Sequence, residues 1–140
     1  MIRFKMIKIN TEQFALLQET IPDRDNVALS LNVELKYAAA ACMVAVGALF
    51  TFSCADDKFM ILKVLCEFQI HPEDWESCTS DNVVTIPKDC IDYLLSQTVG
   101  TARGILHCKT EGTTYNDIVL PPLDVSDVIE GDIKINTGAS

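Results

Sequence analysis

Three features of this 140-residue sequence predict an α+β fold, a four-stranded antiparallel sheet with helices on one face. Val27–Tyr37 alternates apolar and polar residues without a break, and the even positions of Phe59–Ile70 are all apolar. Helical spacing begins only at Pro87, in TIPKDCIDYLLSQ. Strand signals that all precede helix signals separate the two kinds of element, which argues against alternating βαβ units.

Each element follows from its own residues. Met1–Asn10 alternates, but its apolar phase slips between Met6 and Ile7. A slip of one residue exchanges the two faces of a strand, so a bulge is expected there. Val27–Tyr37 places Val27, Leu29, Leu31, Val33, Leu35 and Tyr37 on one face and polar or small residues on the other. Met43–Ser53 is apolar on both faces, as a central strand would be, and CADDK supplies a turn. In Phe59–Ile70 the second face is only half wetted, because Phe59, Ile61 and Leu65 share it with Lys63, Glu67 and Gln69. An outer face of that kind is expected to meet a partner.

HPEDWESCTSDN is expected to be loop. Pro87 suits the first turn of a helix that puts Ile91, Leu94 and Leu95 on one side. Thr98–Gly100 weakens the pattern, and a second helical stretch is expected over Thr101–Lys109, with Gly112 as its stop. Pro121 and Pro122 then exclude regular structure while Ile118, Val119, Leu120 and Leu123 keep the segment apolar, and LDVSDVI has room for one helical turn. EGDIKINTGAS offers little to bury. The expected organisation is one domain over residues 1–130 and a flexible tail over 131–140.

Composition narrows the function classes. Asp and Glu number 20 against 11 Lys and Arg, a net charge of −9. Nucleic acid is repelled by such a surface, whereas a protein partner with a basic patch is attracted. Tyr37–Ala55 carries no charge and is nearly long enough to cross a bilayer, but it is rich in Ala, Thr, Ser and Gly and lacks flanking aromatic and basic anchors, so a buried strand is expected and no membrane span. No secretory signal is recognisable over Met1–Leu17, and the expected address is the cytoplasm.

Five of the six cysteines recur every 12 residues, yet their flanks share nothing, so no repeat is inferred. There is no C-x-x-C, and Cys42 and Cys66 sit in apolar runs as small hydrophobes. His71 and His107 are far apart and lack cysteines at metal spacing, so no metal site is expected. His107 and Cys108 are adjacent and therefore point apart on a helix, which is unsuited to a nucleophile–base pair. The carboxylate pairs Asp56–Asp57 and Glu73–Asp74 read as solvated. Neither phosphate-binding glycine motif occurs. The expectation is a protein without cofactor or catalytic residue. Gly100 and Gly104, four apart on the helix, are the candidate residues for a close helix contact between subunits.

With these elements placed, the chain resembles the SecB family of protein-export chaperones. Leu65–Cys66–Glu67 ends the fourth strand as an LCE does in that family, and Ala102–Arg103 follows at nearly the family's interval on its main helix. From Arg103 to Pro122 the spacing agrees without a gap, with Tyr115 at an aromatic position, Leu120 at a leucine and Pro122 at the proline. The similarity covers roughly Val27–Val128. The family's RGTFP turn is replaced by Gly112–Asn116, its glutamate after AR by Gly104, and its later asparagine by Asp124.

The resemblance implies a homo-tetramer built as a dimer of dimers. It also implies ATP-independent holding of unfolded or nascent polypeptides in a hydrophobic groove beside the helix. Tyr115, Ile118, Leu120, Pro122 and Leu123 are the expected polypeptide-binding residues. Glu67, with Glu34 on the same wet side, is expected to form an acidic face for a protein partner. The alternative from another class is a non-catalytic adaptor or assembly protein of the same fold that binds one specific partner, such as a toxin–antitoxin or mobile-element protein.

Overall fold

A computed structural model describes residues 2–137. Four strands, β1 (Phe4–Leu16), β2 (Val27–Ala38), β3 (Met43–Cys54) and β4 (Asp57–Ile70), form an antiparallel sheet in the order β1-β4-β3-β2. A short helix α1 (Pro72–Ser77), strands β5 (Thr79–Ser80) and β6 (Val83–Ile86), a long helix α2 (Lys88–Thr110) and strand β7 (Ile133–Asn136) follow. The α+β class and the antiparallel sheet of four strands match the sequence reading.

The register sorts every side chain onto one of two faces. On the inner face the rows run Leu35–Val46–Cys66–Ile9, Leu31–Phe50–Leu62–Phe14 and Leu29–Phe52–Met60–Leu16. The central pair β3 and β4 buries its inward residues almost completely, and α2 lies across these two strands with Ile91, Leu94, Leu95, Thr98, Ala102 and Leu106 against them. One helix about 10 Å wide covers two strands spaced about 4.8 Å apart. The inward residues of the edge strands are therefore less covered: Val27, Leu29, Leu31, Val33 and Leu35 in β2 and Phe4, Met6 and Phe14 in β1 are half-buried, and Ile9 and Leu16 are exposed.

The expected slip after Met6 is a register shift between Met6 and Lys8, and a second shift falls between Thr11 and Gln13. With two bulges to absorb its phase changes, β1 continues beyond Asn10 to Leu16. A third irregularity, between Phe52 and Ser53 opposite Lys58 and Met60, brings Phe59 into the core at 0% exposure. The outer face of β4 is therefore less apolar than its sequence implies. Leu65 is also covered there, at 8% exposure, because Gly47 opposite it has no side chain; a Cβ on Gly47 would lie 3.4 Å from the Leu65 side chain.

Ala55 and Asp56 join β3 to β4 at φ values of 48° and 69°. Left-handed backbone costs an alanine about 1–2 kcal/mol, and glycine avoids most of it. Ala55→Gly is accordingly expected to stabilise the domain by about 1 kcal/mol, read as a higher midpoint in urea with an unchanged slope.

Four expectations are corrected. Thr98–Gly100 does not interrupt the helix: Thr98 turns its hydroxyl back onto the Leu94 carbonyl at 2.9 Å, and Gly100 lies on the exposed side, where a missing side chain costs no packing. The stretch expected to be loop contains α1, with His71 Nδ1 accepting from the Glu73 amide at 3.2 Å, Pro72 in the first turn and Trp75 buried. The expected flexible tail at 131–140 instead supplies β7, which pairs with β6 and buries Ile135; residues 138–140 of that expectation lie outside the described residues. Over LDVSDVI there is a turn closed by Val128 N to Val125 O at 3.1 Å, and no helix.

Candidate functional site

The irregular segment after α2 is held by its backbone. Between Thr113 and Ile133 no ladder takes its carbonyls, and Pro121 and Pro122 offer no N–H groups. Arg103 supplies the missing donors: its Nε donates to the Leu120 carbonyl at 2.7 Å and its Nη2 to the Pro121 carbonyl at 3.0 Å. Further along, Lys88 Nζ donates to the Ser126 carbonyl and pairs with Asp92 at 2.6 Å. Asn116 caps the end of α2 by donating to the His107 carbonyl at 3.0 Å and to Thr110 Oγ1 at 3.1 Å. The segment also grips the β1–β2 crossover. Tyr115 donates its hydroxyl to the Gln18 carbonyl, and Arg24 donates to the Asp117 carboxylate and, at 2.6 Å, to the Thr114 carbonyl.

These anchors decide which apolar side chains stay open. Tyr115 is 2% exposed, stacked on Phe59 with ring centroids 6.1 Å apart, and Leu120 is 1% exposed. Both were expected to line the groove, and both are core side chains. Ile118 and Leu123 are half-buried and Pro122 is exposed. Val119, at 58% exposure, and Val128 were not among the expected contact residues, and of this segment's aliphatic side chains they are the most exposed.

A second apolar opening lies at the start of β1, beside the start of α2. A cavity of about 790 Å³ is lined by Ile2, Arg3, Phe4, Pro87, Asp89, Cys90 and Tyr93. Phe4 stands edge-on to Phe68 at 5.9 Å and to Tyr93 at 5.3 Å, and Tyr93 keeps half its surface in solvent. Lys88 and Arg103, which hold the segment, and Cys90, which lines the cavity, fall on opposite flanks of α2 at 100° per residue. The segment and the cavity therefore lie on opposite flanks of the helix.

Arg3, one of the cavity's lining residues, is fixed by its Nε to Asp74 at 3.0 Å and its Nη2 to Glu73 at 3.3 Å. These carboxylates, read from sequence as solvated, thus tie β1 to α1. The Arg3 side-chain and backbone donors hold the Asp74 carboxyl down at about 2. A depressed carboxyl stabilises the fold above its unfolded value near 3.8 and loses that contribution as pH falls toward 2. Wild type is therefore expected to lose stability relative to Arg3→Ala between pH 4 and 2 and to keep a constant difference above pH 5, a comparison made by urea unfolding at each pH.

Glu34 and Glu67 both lie on the outer sheet face, in the adjacent rows Glu34–Gly47–Leu65–Asn10 and Lys36–Ala45–Glu67–Lys8. That face is not acidic, contrary to expectation. Glu34 is paired with Lys36 at 3.1 Å and Lys63 at 3.4 Å, Lys63 also reaches Glu12 at 3.6 Å, and the register adds Lys5 and Lys8. The lysines, Lys36 first, hold the Glu34 carboxyl below its ordinary value. Gly100 and Gly104 are exposed on α2; a Cβ on Gly104 would meet nothing within 4 Å and one on Gly100 only the end of Arg103, so nothing inside the chain requires either glycine.

The cysteines are free thiols. Burial pushes the Cys66, Cys78 and Cys90 thiols up, which keeps them protonated and weakly nucleophilic at neutral pH. Among the described residues, no group of three or more His, Cys, Asp or Glu is arranged to hold a metal ion, and no helix is long and apolar enough to cross a membrane.

No protein-family model matches the chain, and no curated protein matches it in sequence. Among solved structures, it is similar to the Mycobacterium tuberculosis Rv1957 SecB-like chaperone in complex with a ChAD peptide from the Rv1956 HigA1 antitoxin. The TM-score is 0.52 at 9% identity, over 87% of this chain and 89% of that one. A protein of unknown function from Streptococcus agalactiae aligns with a TM-score of 0.41 at 13% identity, over 89% of this chain and 98% of the other. At the first of these likenesses the chain has the α+β fold of a SecB-like chaperone, a four-stranded antiparallel sheet with a helix across it.

Proposed function

We propose that the chain is a divergent SecB-like chaperone that holds unfolded polypeptides without ATP, in the cytoplasm, as a homo-oligomer. The observation that carries this reading is apolar side chain left uncovered on both flanks of α2, exposed Val119 with half-buried Ile118 and Leu123 on one side and the Phe4–Tyr93 cavity on the other. A side chain buried from water contributes roughly 1.5–3 kcal/mol, so a few partial contacts along such a surface hold a client and still release it. Shape agrees with use, since shallow apolar surface on a rigid sheet-and-helix frame suits many sequences loosely. No catalytic role is proposed.

Ile118, Pro122 and Leu123 are proposed as direct client contacts, with Tyr115 and Leu120 supporting them. Gly100 and Gly104 are proposed to let α2 of a second copy approach closely, within a tetramer of paired dimers. The test dilutes chemically unfolded clients with and without the protein at matched subunit concentration. Suppressed aggregation of several unrelated clients, with a tetrameric mass by light scattering, is the expected result; a stable monomer that suppresses nothing sinks the reading.

One observation favours a second reading. The structural neighbour is bound to a peptide from an antitoxin, which fits an adaptor that recognises one segment of one partner. No general suppression of aggregation, together with tight capture of a single protein, would select it.

A further inference from the structure

We infer that the cavity between the start of β1 and the first turns of α2 binds a small organic cation, an ammonium group carried on an aromatic or aliphatic body. Binding of this kind is independent of the holding activity, although client and ligand would share this flank of α2.

The cavity is built to keep its shape. Ile2, Arg3 and Phe4 form one wall, and Pro87, Asp89, Cys90 and Tyr93 form the other. The β1 wall is pinned through its backbone. The Arg3 amide donates to Asp74 Oδ2 at 2.7 Å, and the Arg3 carbonyl accepts from the His71 amide at 2.9 Å. The Phe4 ring is in edge contact with both Phe68 and Tyr93. At the helix wall the Asp132 carboxylate, 44 residues away, accepts from the Lys88 amide at 2.8 Å and caps the start of α2. A volume of about 790 Å³ falls within the range of roughly 300–1,000 Å³ usual for small-molecule sites, which are largely preformed and apolar with a few polar groups.

Size favours a compact ligand. Along β1 the lining covers two residue steps, roughly 7 Å. Along α2 it covers the six steps from Pro87 to Tyr93, roughly 9 Å. A molecule of that length fills the space, whereas an extended chain of about ten residues would run on for roughly 33 Å.

Charge sets the sign of the ligand. Arg3 and Asp89 line the cavity, and Glu73 and Asp74 hold Arg3, so three carboxylates stand against one guanidinium. That guanidinium is occupied: Nε donates to Asp74, and Nη2 donates to both Asp74 and Glu73. Among the described residues, neither the Asp89 carboxylate nor the Tyr93 hydroxyl has a hydrogen-bond or ion-pair partner. The neighbouring lysines are engaged or turned elsewhere. Lys5 falls on the outer face of the sheet opposite Gln69, and Lys88 pairs with Asp92 on the far flank of α2. The Cys90 thiol, kept protonated by burial, adds no charge. An anion is repelled from such a cavity. A cation meets the free Asp89 carboxylate and the ring faces of Phe4 and Tyr93, which attract positive charge.

The experiment titrates the full chain, isotopically labelled, with three ligands of one skeleton at neutral pH: phenylbutylammonium, phenylbutanol and phenylbutanoate. Amide shifts are followed by two-dimensional NMR. The ammonium is expected to shift the Phe4, Asp89, Cys90 and Tyr93 amides saturably, in the millimolar range that about eleven non-hydrogen atoms allow. It should bind about three- to tenfold more tightly than the alcohol, with the carboxylate weakest. Asp89→Asn, at an exposed position, should weaken the ammonium about two- to fivefold and leave the alcohol unchanged. Tyr93→Ser should weaken both. Equal affinity for all three ligands, tighter binding of phenylbutanoate, or no shift at these amides overturns the inference. So does an Asp89→Asn variant that weakens ammonium and alcohol alike. Shifts produced by an uncharged unfolded peptide and by none of the three ligands also overturn it, since the cavity then serves clients alone.

Discussion

Phe59→Ala is expected to destabilise the domain by about 3–5 kcal/mol, the usual range for deleting a buried aromatic ring. Phe59 is fully buried, with its ring 6.3 Å from Phe52 and 6.1 Å from Tyr115. Its carbonyl accepts from the Leu17 amide at 2.8 Å, where β1 ends and the crossover begins. The ring therefore joins the β3–β4 hairpin to the segment after α2, and the Phe59 backbone ties both to the crossover. Its loss should do more than lower stability. Tyr115 loses its stacking partner but keeps its hydroxyl bond to the Gln18 carbonyl, so exchange of backbone amides over residues 113–120 should quicken more than exchange in β3. Urea unfolding followed by Trp75 fluorescence gives the first quantity. A cost below about 1 kcal/mol would mean that the ring is not packed as described.

Phe59 also shows why part of the fold is hidden in the sequence. Strict alternation assigns it to the outer face, and one bulge returns it to the core. Alternation reads the second half of β3, where buried Ala48, Phe50, Phe52 and Cys54 alternate with half-buried Leu49, Thr51 and Ser53, while Val44 to Ala48 are buried on both faces. It reads β1 poorly, since two bulges and a half-covered face blur the pattern. Short elements were missed for another reason. α1, β5 and β7 are too short for periodicity to register; what marks them is end chemistry, a His–Pro cap before α1 and an Asp81–Asn82 turn at positive φ between β5 and β6. For the candidate site, sequence identified an apolar irregular segment but not which of its side chains face inward. That is decided by Arg103 reaching the Leu120 and Pro121 carbonyls across 17 and 18 residues, a contact no local pattern encodes. The outer face failed similarly: Lys36 stands two residues from Glu34 in the sequence, whereas Lys63 and Lys8 reach Glu34 and Glu67 from β4 and β1 only through the register.

Leu120→Ala and Leu123→Ser separate support from contact. Leu120 is almost fully buried, so truncation to alanine should cost about 2–5 kcal/mol, partly as lost transfer energy and partly as the cavity left behind. Leu123 is half-buried, and its replacement should cost no more than about 1 kcal/mol. If Leu123 meets clients, the ranking reverses in an aggregation assay run where both variants are folded. Leu123→Ser should then need several-fold more protein for the same suppression, because it removes apolar surface that a client covers and adds a hydroxyl that a client must desolvate. Leu120→Ala, at a temperature well below its lowered midpoint, should act nearly as wild type. Equal losses in both variants would mean that the segment acts only through its fold, and an unaffected Leu123→Ser would move the client surface to the Phe4–Tyr93 side of the helix, where Tyr93→Ser becomes the corresponding test.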